Sequence, residues 1–153
     1  MNEIGNILIS IKRKFVLEML SGNKTVELRR RRLHVASGTR VWIYSTAPHC
    51  AVELHATVDY VDCASPDQLW RRYRWCVGIS RVEFDRYFLR AKTGCAVILR
   101  DLKPLSRAVE LSHIRRSAKF HPPQFFKRLG PDSAALRAIT ANLEDQPQQF
   151  LVS

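Results

Sequence analysis

The sequence predicts an α+β fold built on a small mixed β-barrel, and two features of the chain predict it. Five segments of alternating or β-branched apolar residues have the length and pattern of strands. Single short helical segments separate them, and the strand lengths and turns fit a barrel better than a parallel sheet. The hydrophobic fraction, 46% of 153 residues, is enough for a core, which excludes intrinsic disorder for most of the chain.

Strand patterns occur at five places along the chain. They are residues 6–12, 24–30, 39–45, 51–63 and 95–105. In the second of them, alternation places Val26 and Leu28 on one side of the strand. Thr25, Glu27 and Arg29 face the other side. We therefore expect Val26 to belong to the core.

Helical patterns lie between these strands. A helix is expected over 13–20, and Gly22 ends it as a C-terminal glycine does. Another begins at Pro66 and continues through the aromatic residues up to Trp75. A third begins at Ser80, which forms a capping-box pattern with Glu83.

Beyond Pro104 the expected structure is helical. Helices are predicted over 106–117, from the Pro122-Pro123 pair to Leu129, and over 134–143, and residues 144–153 are polar enough to fray. Residues 1–130 are assigned to one domain. Residues 131–153 are assigned to a C-terminal helix and frayed tail that do not form a separate domain.

The net charge is strongly positive, since 25 Lys and Arg residues outnumber 14 Asp and Glu residues and give +11. The basic residues are clustered as Arg29 to Arg32, then Arg71, Arg72 and Arg74, then Arg115, Arg116 and Lys119. Such clusters favour a polyanionic partner, because each cation that neutralises a phosphate releases a counterion. The clusters indicate nucleic acid, with a solvated basic surface that has no partner as the alternative.

Neither a metal nor another cofactor is expected. The four cysteines include no Cys-x-x-Cys pair, and in a reducing compartment they are most simply buried small hydrophobic residues. His49, Cys50 and His55 do not have the spacing of a standard zinc site. No apolar run approaches the ~20 residues of a membrane-spanning helix, and the first ten residues lack a secretory signal pattern. We therefore expect a cytoplasmic protein with no membrane contact.

Residues 7–30 carry a resemblance to a known family. They read ILISIKRKFVLEMLSGNKTVELRR. This strand, a helix ending in Ser-Gly and then Gly-x-Lys-Thr-x-Glu-x-Arg, resembles the ASCH domain family, which is related to the PUA RNA-binding domains. Further pieces agree in order, namely residues 41–46 with Pro48, 83–88 and 94–99, while 104–106 and 122–124 look like the longer bacterial and phage members. The resemblance covers about residues 7–130.

The resemblance implies a PUA-like barrel of five or six strands, short helices at its mouth, a helical C-terminal extension and a cleft between barrel and helices. It also implies RNA binding in that cleft, because family members are thought to bind RNA there. We therefore expect an RNA-binding module with a basic cleft, either regulatory or linked to RNA modification. The alternative is a hydrolase, because one group of members removes the acetyl group from acetylated cytidine and another cleaves RNA.

The Gly-x-Lys-Thr element supplies the candidate site. Lys24 lies at a strand entrance, where its amine can reach a phosphate or carbonyl oxygen, and it is not expected to be core. Glu27 and Arg29 share a strand face, so they either present an acid beside a base or form a structural salt bridge, as Glu27 and Lys24 also can. If the protein is an enzyme, the catalytic candidates are Lys24, Glu27 as a general base and the Thr25 hydroxyl.

One departure from the family pattern weighs against the amidohydrolase. The acetylcytidine hydrolases use the lysine, a threonine two residues beyond the Lys-Thr pair and a distant glutamate. Lys24 matches the lysine, but Glu27 stands where the threonine should be, and the corresponding distant stretch, residues 70–75, contains no acid. Glu83 is the nearest candidate for the glutamate, with a role as the cap of its own helix as the alternative. We therefore expect little or no release of acetate from acetylated cytidine.

The segment Trp70-Arg71-Arg72-Tyr73-Arg74-Trp75 has two interpretations. Its aromatic rings can stack on unpaired bases while its arginines hold phosphates, or the rings can be core residues at helical spacing. The residues expected to contact nucleic acid are Lys24, Arg29, Arg31, Arg32, Arg71, Arg72 and Arg74. RNA is the expected partner, and a DNA-binding regulator is a competing class that the lack of a helix-turn-helix pattern disfavours. The oligomeric state is not predicted.

Overall fold

A computed structural model of the protein describes residues 4–144 and shows one curled sheet with helices against both of its faces. The elements are β1 (Asn6–Ile11), α1 (Arg13–Leu20), β2 (Val26–Arg29), β3 (Arg40–Ser45), β4 (Ala51–Ala64), α2 (Pro66–Tyr73), α3 (Arg81–Tyr87), β5 (Gly94–Glu110), α4 (Leu111–Ser117), β6 (Phe126–Leu129) and α5 (Ala134–Glu144). The predicted α+β class and its barrel-like sheet are confirmed.

The six strands follow the order β2-β5-β4-β3-β1-β6. β1 and β3 are parallel, and the other neighbouring strands are antiparallel. Register shifts interrupt the long β4–β5 ladder at three places, and such irregularities bend a strand and increase its twist. The sheet therefore curls into a half-barrel whose edges, β2 and β6, are not paired with each other in the part of the chain that the structure describes.

Side chains are buried on both faces of the sheet, as β1 shows. Ile7 and Ile9 pack on one side with Val16 of α1. Leu8, between them in the sequence, packs on the other side with Ile139 of α5. A third cluster joins Val26 and Leu28 of β2 to residues of α2 and α3, so the alternation predicted for β2 is confirmed.

The C-terminal third differs most from the sequence prediction. β5 continues to Glu110, so only the last part of the helix predicted over 106–117 exists, as α4. The helix predicted after Pro122 is wrong, because Phe126–Leu129 forms β6 instead and pairs with β1. Strand β1 would otherwise be an edge with unpaired backbone groups, and β6 covers it. The helix predicted over 134–143 is confirmed, while residues 145–153 of the expected frayed tail lie outside the described residues.

Two of the four cysteines form a disulfide, so their prediction as free buried thiols is wrong. Cys63 in β4 and Cys95 in β5 are direct partners in the antiparallel ladder, and their sulfur atoms are bonded. Cys50 and Cys76 are free thiols. Nothing in the sequence spacing shows this pairing, because it depends on the register of two strands that are 32 residues apart.

The disulfide predicts a redox-dependent stability. Reduction should lower the free energy of unfolding by about 2–4 kcal/mol, because the unfolded chain loses the constraint of a closed loop. Thermal or urea unfolding with and without dithiothreitol measures this difference.

The double variant Cys63→Ser/Cys95→Ala is the control. It should match the reduced protein and be insensitive to reductant. Equal stability of the unsubstituted protein with and without reductant would contradict the prediction.

Candidate functional site

A cavity of about 380 Å³ lies beside the edge strand β2, in the gap that the half-barrel leaves open. Its walls come from β1, α1, β2, α3 and the segment before β6. The charged lining residues are Lys12, Lys24, Glu27, Arg29 and Glu83, and the aromatic ones are Phe15, Tyr87 and Phe125. This size and this mixture of apolar walls with a few polar groups are typical of small-ligand sites.

Lys24 is buried at the base of this pocket, with only 3% of its surface exposed. Its Nζ donates hydrogen bonds of 2.8 Å to the carbonyl oxygens of Val26 and Val77. Burial lowers the pKa of the amine, because it removes the charged form from water, while the nearby Glu27 carboxylate opposes the shift. The expectation that Lys24 lies outside the core is wrong, and the carbonyl oxygens that its amine reaches belong to the protein's own backbone.

A glycine makes room for the buried lysine. Gly78 has a positive φ of +68°, and a Cβ atom there would lie 2.7 Å from the Cβ of Lys24. Any other residue would therefore push the segment that contains Val77 away from the lysine.

Glu27 lies between two cations. Its carboxylate is 3.9 Å from Lys24 Nζ and 3.6 Å from Arg29 Nε. Both salt bridges that the sequence offered as a structural alternative are therefore present. The side chains of Glu27 and Arg29 are only 13% and 14% exposed, which makes this a shielded charge cluster on the pocket wall.

Arg29 retains an unused donor. Its Nη2 atom is buried and has no hydrogen-bond partner among residues 4–144. A buried N–H group without a partner costs free energy, so an acceptor supplied by a ligand would stabilise this arrangement. The guanidinium carbon is 6.0 Å from the ring centroid of Phe125, which is 61% exposed at the pocket.

Three aromatic side chains give the pocket flat apolar surfaces. Phe15 comes from α1, Tyr87 from the end of α3 and Phe125 from the segment before β6. Tyr87 is held by its hydroxyl group, which donates a 3.2 Å hydrogen bond to the carbonyl oxygen of Leu28. The pocket can therefore hold a planar ring beside a carboxylate and a guanidinium group.

The other predicted site residues do not line the pocket. Thr25 bonds through its backbone to Cys76 and Leu99. Arg31 and Arg32 are exposed beyond the end of β2. Arg71, Arg72 and Arg74 are exposed on or just after α2, and Nη1 of Arg72 donates to both carboxylate oxygens of Asp62. The structure thus brings together Lys24, Glu27 and Arg29 and leaves the remaining candidates outside.

Sequence reasoning missed most of the pocket's other lining residues. Glu83, which the sequence offers as a distant acid or a helix cap, lines the pocket. Its backbone N–H bonds to Ser80, as in a cap, and its carboxylate pairs with Lys14 at 3.1 Å. Phe125 was missed because it was assigned to a helix. The resemblance at residues 83–88 was the one signal that pointed to Tyr87.

The sequence disfavours His49, Cys50 and His55 as a metal site, and in the structure the two histidines contact different partners. His49 Nε2 lies 2.9 Å from Glu53, and His55 Nδ1 lies 3.0 Å from Arg40. Across residues 4–144 no group of three or more metal-ligating side chains comes together. No helix within the same range is long and apolar enough to span a membrane.

The curled six-stranded sheet with its helices defines a PUA-like α+β protein. Comparison with known proteins then identifies the family: residues 4–119 match the model described as "Domain of unknown function (DUF365)", and the chain belongs to this family. An "ASCH domain-containing ribonuclease" from Zymomonas mobilis is 34% identical over 139 residues, which cover 90% of this chain and 93% of the relative. The chain is therefore an ASCH domain protein, and the resemblance stated from its sequence is confirmed.

Solved structures agree with this assignment. The crystal structure of ASCH from Zymomonas mobilis matches with a TM-score of 0.83 and 29% identity, covering 91% of this chain and 96% of the other. The N-terminal domain of McrB from Staphylothermus marinus matches with a TM-score of 0.56 and 12% identity, covering 92% and 98%. The second match shows a shared fold alone.

The buried position of Lys24 predicts a loss of stability on its removal. Lys24→Ala should lower the free energy of unfolding by about 1–3 kcal/mol, because two buried carbonyl groups lose their donor. Val26→Ala, which removes two methyl groups from a residue that is 1% exposed, should have an effect of similar size. Urea unfolding of both variants measures the effects.

The exposed Lys92 provides a control. Lys92→Ala should unfold like the unsubstituted protein. If Lys24→Ala were as stable as Lys92→Ala, the two hydrogen bonds of Lys24 would have no structural role.

Proposed function

We propose that this protein binds single-stranded RNA and that the pocket beside β2 holds one nucleotide of the strand. The observation that carries this proposal is the unpaired N–H donor of Arg29, placed beside the Glu27 carboxylate in an aromatic-walled pocket. A base fits between the aromatic walls, and Arg29 donates to a phosphate or base oxygen. Glu27 accepts from an amino, imino or 2′-hydroxyl group.

The pocket favours unpaired nucleotides over a duplex. A base can enter a cavity of about 380 Å³ only if it is free of its stacking and pairing partners. The aromatic lining gives such a base a surface to stack on. The regulatory or modification-linked role expected from the sequence remains a prediction within this proposal.

The charge distribution supports a polyanionic strand as the ligand. The chain carries a net charge of +11, and Arg31, Arg32, Arg71 and Arg74 are exposed outside the pocket. These arginines can neutralise phosphates on either side of the bound nucleotide. The pocket and the arginines around it then form the basic cleft. Affinity should then fall steeply with salt.

Removal of the Arg29 side chain should weaken RNA binding more than removal of an exposed arginine far from the pocket does. We expect Arg29→Ala to lower the affinity for a single-stranded oligoribonucleotide by about 1–3 kcal/mol, because a charge-assisted contact inside the pocket is lost. Fluorescence anisotropy across a salt series measures both the affinity and its salt dependence.

Arg116→Ala is the matched control, because Arg116 is exposed on α4, which packs against the other face of the sheet. It removes the same charge and should change the affinity only slightly. Equal effects of the two variants would indicate a non-specific basic surface, and an affinity independent of salt would reject the proposal. The same oligomer made of DNA tests the competing partner class.

A second candidate function is cleavage of RNA, which the ribonuclease relative favours. In this reaction a base removes the 2′ proton and the 2′-oxygen attacks the adjacent phosphorus to form a 2′,3′-cyclic phosphate. The bond to the 5′-oxygen breaks, and that oxygen takes a proton from water and leaves as a hydroxyl group. Two carboxylates line the pocket, and we assign the proton to Glu27, because it stands beside Arg29 while Glu83 is paired with Lys14. Arg29 can stabilise charge on the phosphorane. Lys24 keeps Glu27 in position and does not need to leave its carbonyl partners.

Glu27→Gln should abolish cleavage while the variant still binds RNA, because the amide keeps the shape of the side chain and cannot accept the proton. Gel analysis of a labelled oligomer measures cleavage, and a 2′-deoxy substitution at the cleaved position should block it. Arg116→Ala should cleave normally.

Cleavage by Glu27→Gln at the original rate would exclude Glu27 as the base. Acetylated cytidine, incubated in parallel, tests the amidohydrolase alternative, for which we expect no release of acetate. Such release, lost in both Lys24→Ala and Glu27→Gln, would replace the ribonuclease with the amidohydrolase.

A further inference from the structure

Trp75 is the most exposed large apolar side chain among the described residues, with 82% of its surface accessible. The other two tryptophans are in different surroundings. Trp42 is 2% exposed, and Trp70 packs on Phe84 with ring centroids 5.1 Å apart. An indole left in water forgoes the stabilisation that burial of its large apolar area would give, so an exposed tryptophan is a candidate contact for a partner.

The backbone holds Trp75 in a defined place. Helix α2 ends at Tyr73, and the N–H of Cys76 turns back to the Tyr73 carbonyl oxygen at 2.8 Å. The carbonyl oxygen of Cys76 then accepts hydrogen bonds of 2.9 and 3.2 Å from the N–H groups of Thr25 and Val26. The residue after Trp75 is therefore bonded to the start of β2, the strand that carries Glu27 and Arg29.

The ring lies next to the pocket along the chain. Val77, two residues further on, accepts a hydrogen bond from Lys24, and Ile79 lines the cavity. Ile79 is the fourth residue after Trp75, and an extended chain of four Cα–Cα steps spans at most about 14 Å. A strand with one nucleotide in the pocket can therefore reach Trp75 with a neighbouring nucleotide.

The charges around Trp75 suit a nucleic acid strand. The Arg74 guanidinium lies 4.8 Å from the centroid of the Trp75 ring, and Arg71 is exposed on the preceding turn of α2. Arg72 is already paired with Asp62, so Arg71 and Arg74 are the arginines that can meet phosphates here. An aromatic ring with arginines beside it is the arrangement on which unpaired bases stack.

We propose that Trp75 is a second contact for the RNA strand, on which an unpaired base outside the pocket stacks while Arg74 contacts its phosphate. The ligand class rests on the proposed function, but the contact does not depend on the pocket residues. Its consequence is a dependence of affinity on length. An oligomer should gain from Trp75, whereas a mononucleotide should occupy only the pocket.

Intrinsic tryptophan fluorescence reports on this contact directly. Titration with an eight-residue oligoadenylate should quench the emission of Trp75, and adenosine monophosphate should quench it much less. Trp75→Leu should remove this quenching and lower the affinity for the octamer by roughly tenfold. It should leave the affinity for the mononucleotide unchanged. Trp75→Phe, which keeps an aromatic face, should retain most of the octamer affinity.

Val82→Ala is the control, because Val82 is also an exposed apolar residue, at 67%. It should bind the octamer like the unsubstituted protein. Arg29→Ala should weaken binding of both the octamer and the mononucleotide, and this pattern separates the pocket from Trp75. The thermal unfolding of Trp75→Leu should be unchanged because the ring is not packed in the core.

Three results would overturn the inference. Unchanged octamer affinity in Trp75→Leu, with an Arg29-dependent affinity still present, would exclude Trp75 as an RNA contact and leave the proposed function intact. Unchanged octamer affinity together with a smaller molar mass for Trp75→Leu in solution would assign Trp75 to contact with a second copy of the chain. Absence of RNA binding by the unsubstituted protein would reject both proposals.

Discussion

The buried amine of Lys24 is the interaction on which the pocket depends. It joins the edge strand β2 to the segment after α2 through the carbonyl groups of Val26 and Val77. These two parts of the chain are otherwise connected by the backbone hydrogen bonds of Cys76. An ammonium group that loses its water needs such acceptors, because burial disfavours its charge and lowers the pKa of Lys24. The lysine thereby ties β2, the strand that carries Glu27 and Arg29, to the segment after α2.

The open side of the half-barrel explains why a pocket exists beside β2. In a closed barrel, the two edge strands would pair and side chains would fill the interior. Here β2 and β6 remain apart, and Arg29 from one edge approaches Phe125, just before the other edge, at 6.0 Å. The helices α1 and α3 close the remaining sides. The pocket is thus a consequence of topology, and its chemistry comes from the few side chains on the two edges.

Local patterns in the sequence predicted local structure well and long-range contacts poorly. The order of strand, helix and strand over residues 6–29, and the burial of Val26, follow from spacing and alternation, which act over a few residues. The contact of Lys24 with Val77 spans 53 residues, and the disulfide spans 32, so neither leaves a local signal. In the aromatic segment 70–75, Tyr73 at the end of α2 is buried, as the core interpretation expects, whereas Trp75, after the helix, is exposed to solvent. Stacking of bases on this segment stays a prediction. Phe126–Leu129 forms a strand because the backbone N–H and C=O groups at the edge of β1 can pair with an extended segment and not with a helix.

The ion pairs among Lys24, Glu27 and Arg29 are long, which leaves Arg29 able to bind a ligand. The 3.6 Å separation between Arg29 Nε and Glu27 is too long for a hydrogen bond, so Arg29 is held by charge and burial more than by directed bonds. In the proposed function, an incoming phosphate competes for Arg29 without breaking a strong contact, and the unpaired Nη2 atom gains an acceptor at the same time. Glu27 remains beside Lys24, so its charge is not left alone in the pocket wall. The two cations thus have different roles in the proposed function: Arg29 binds the ligand, and Lys24 stays paired with Glu27.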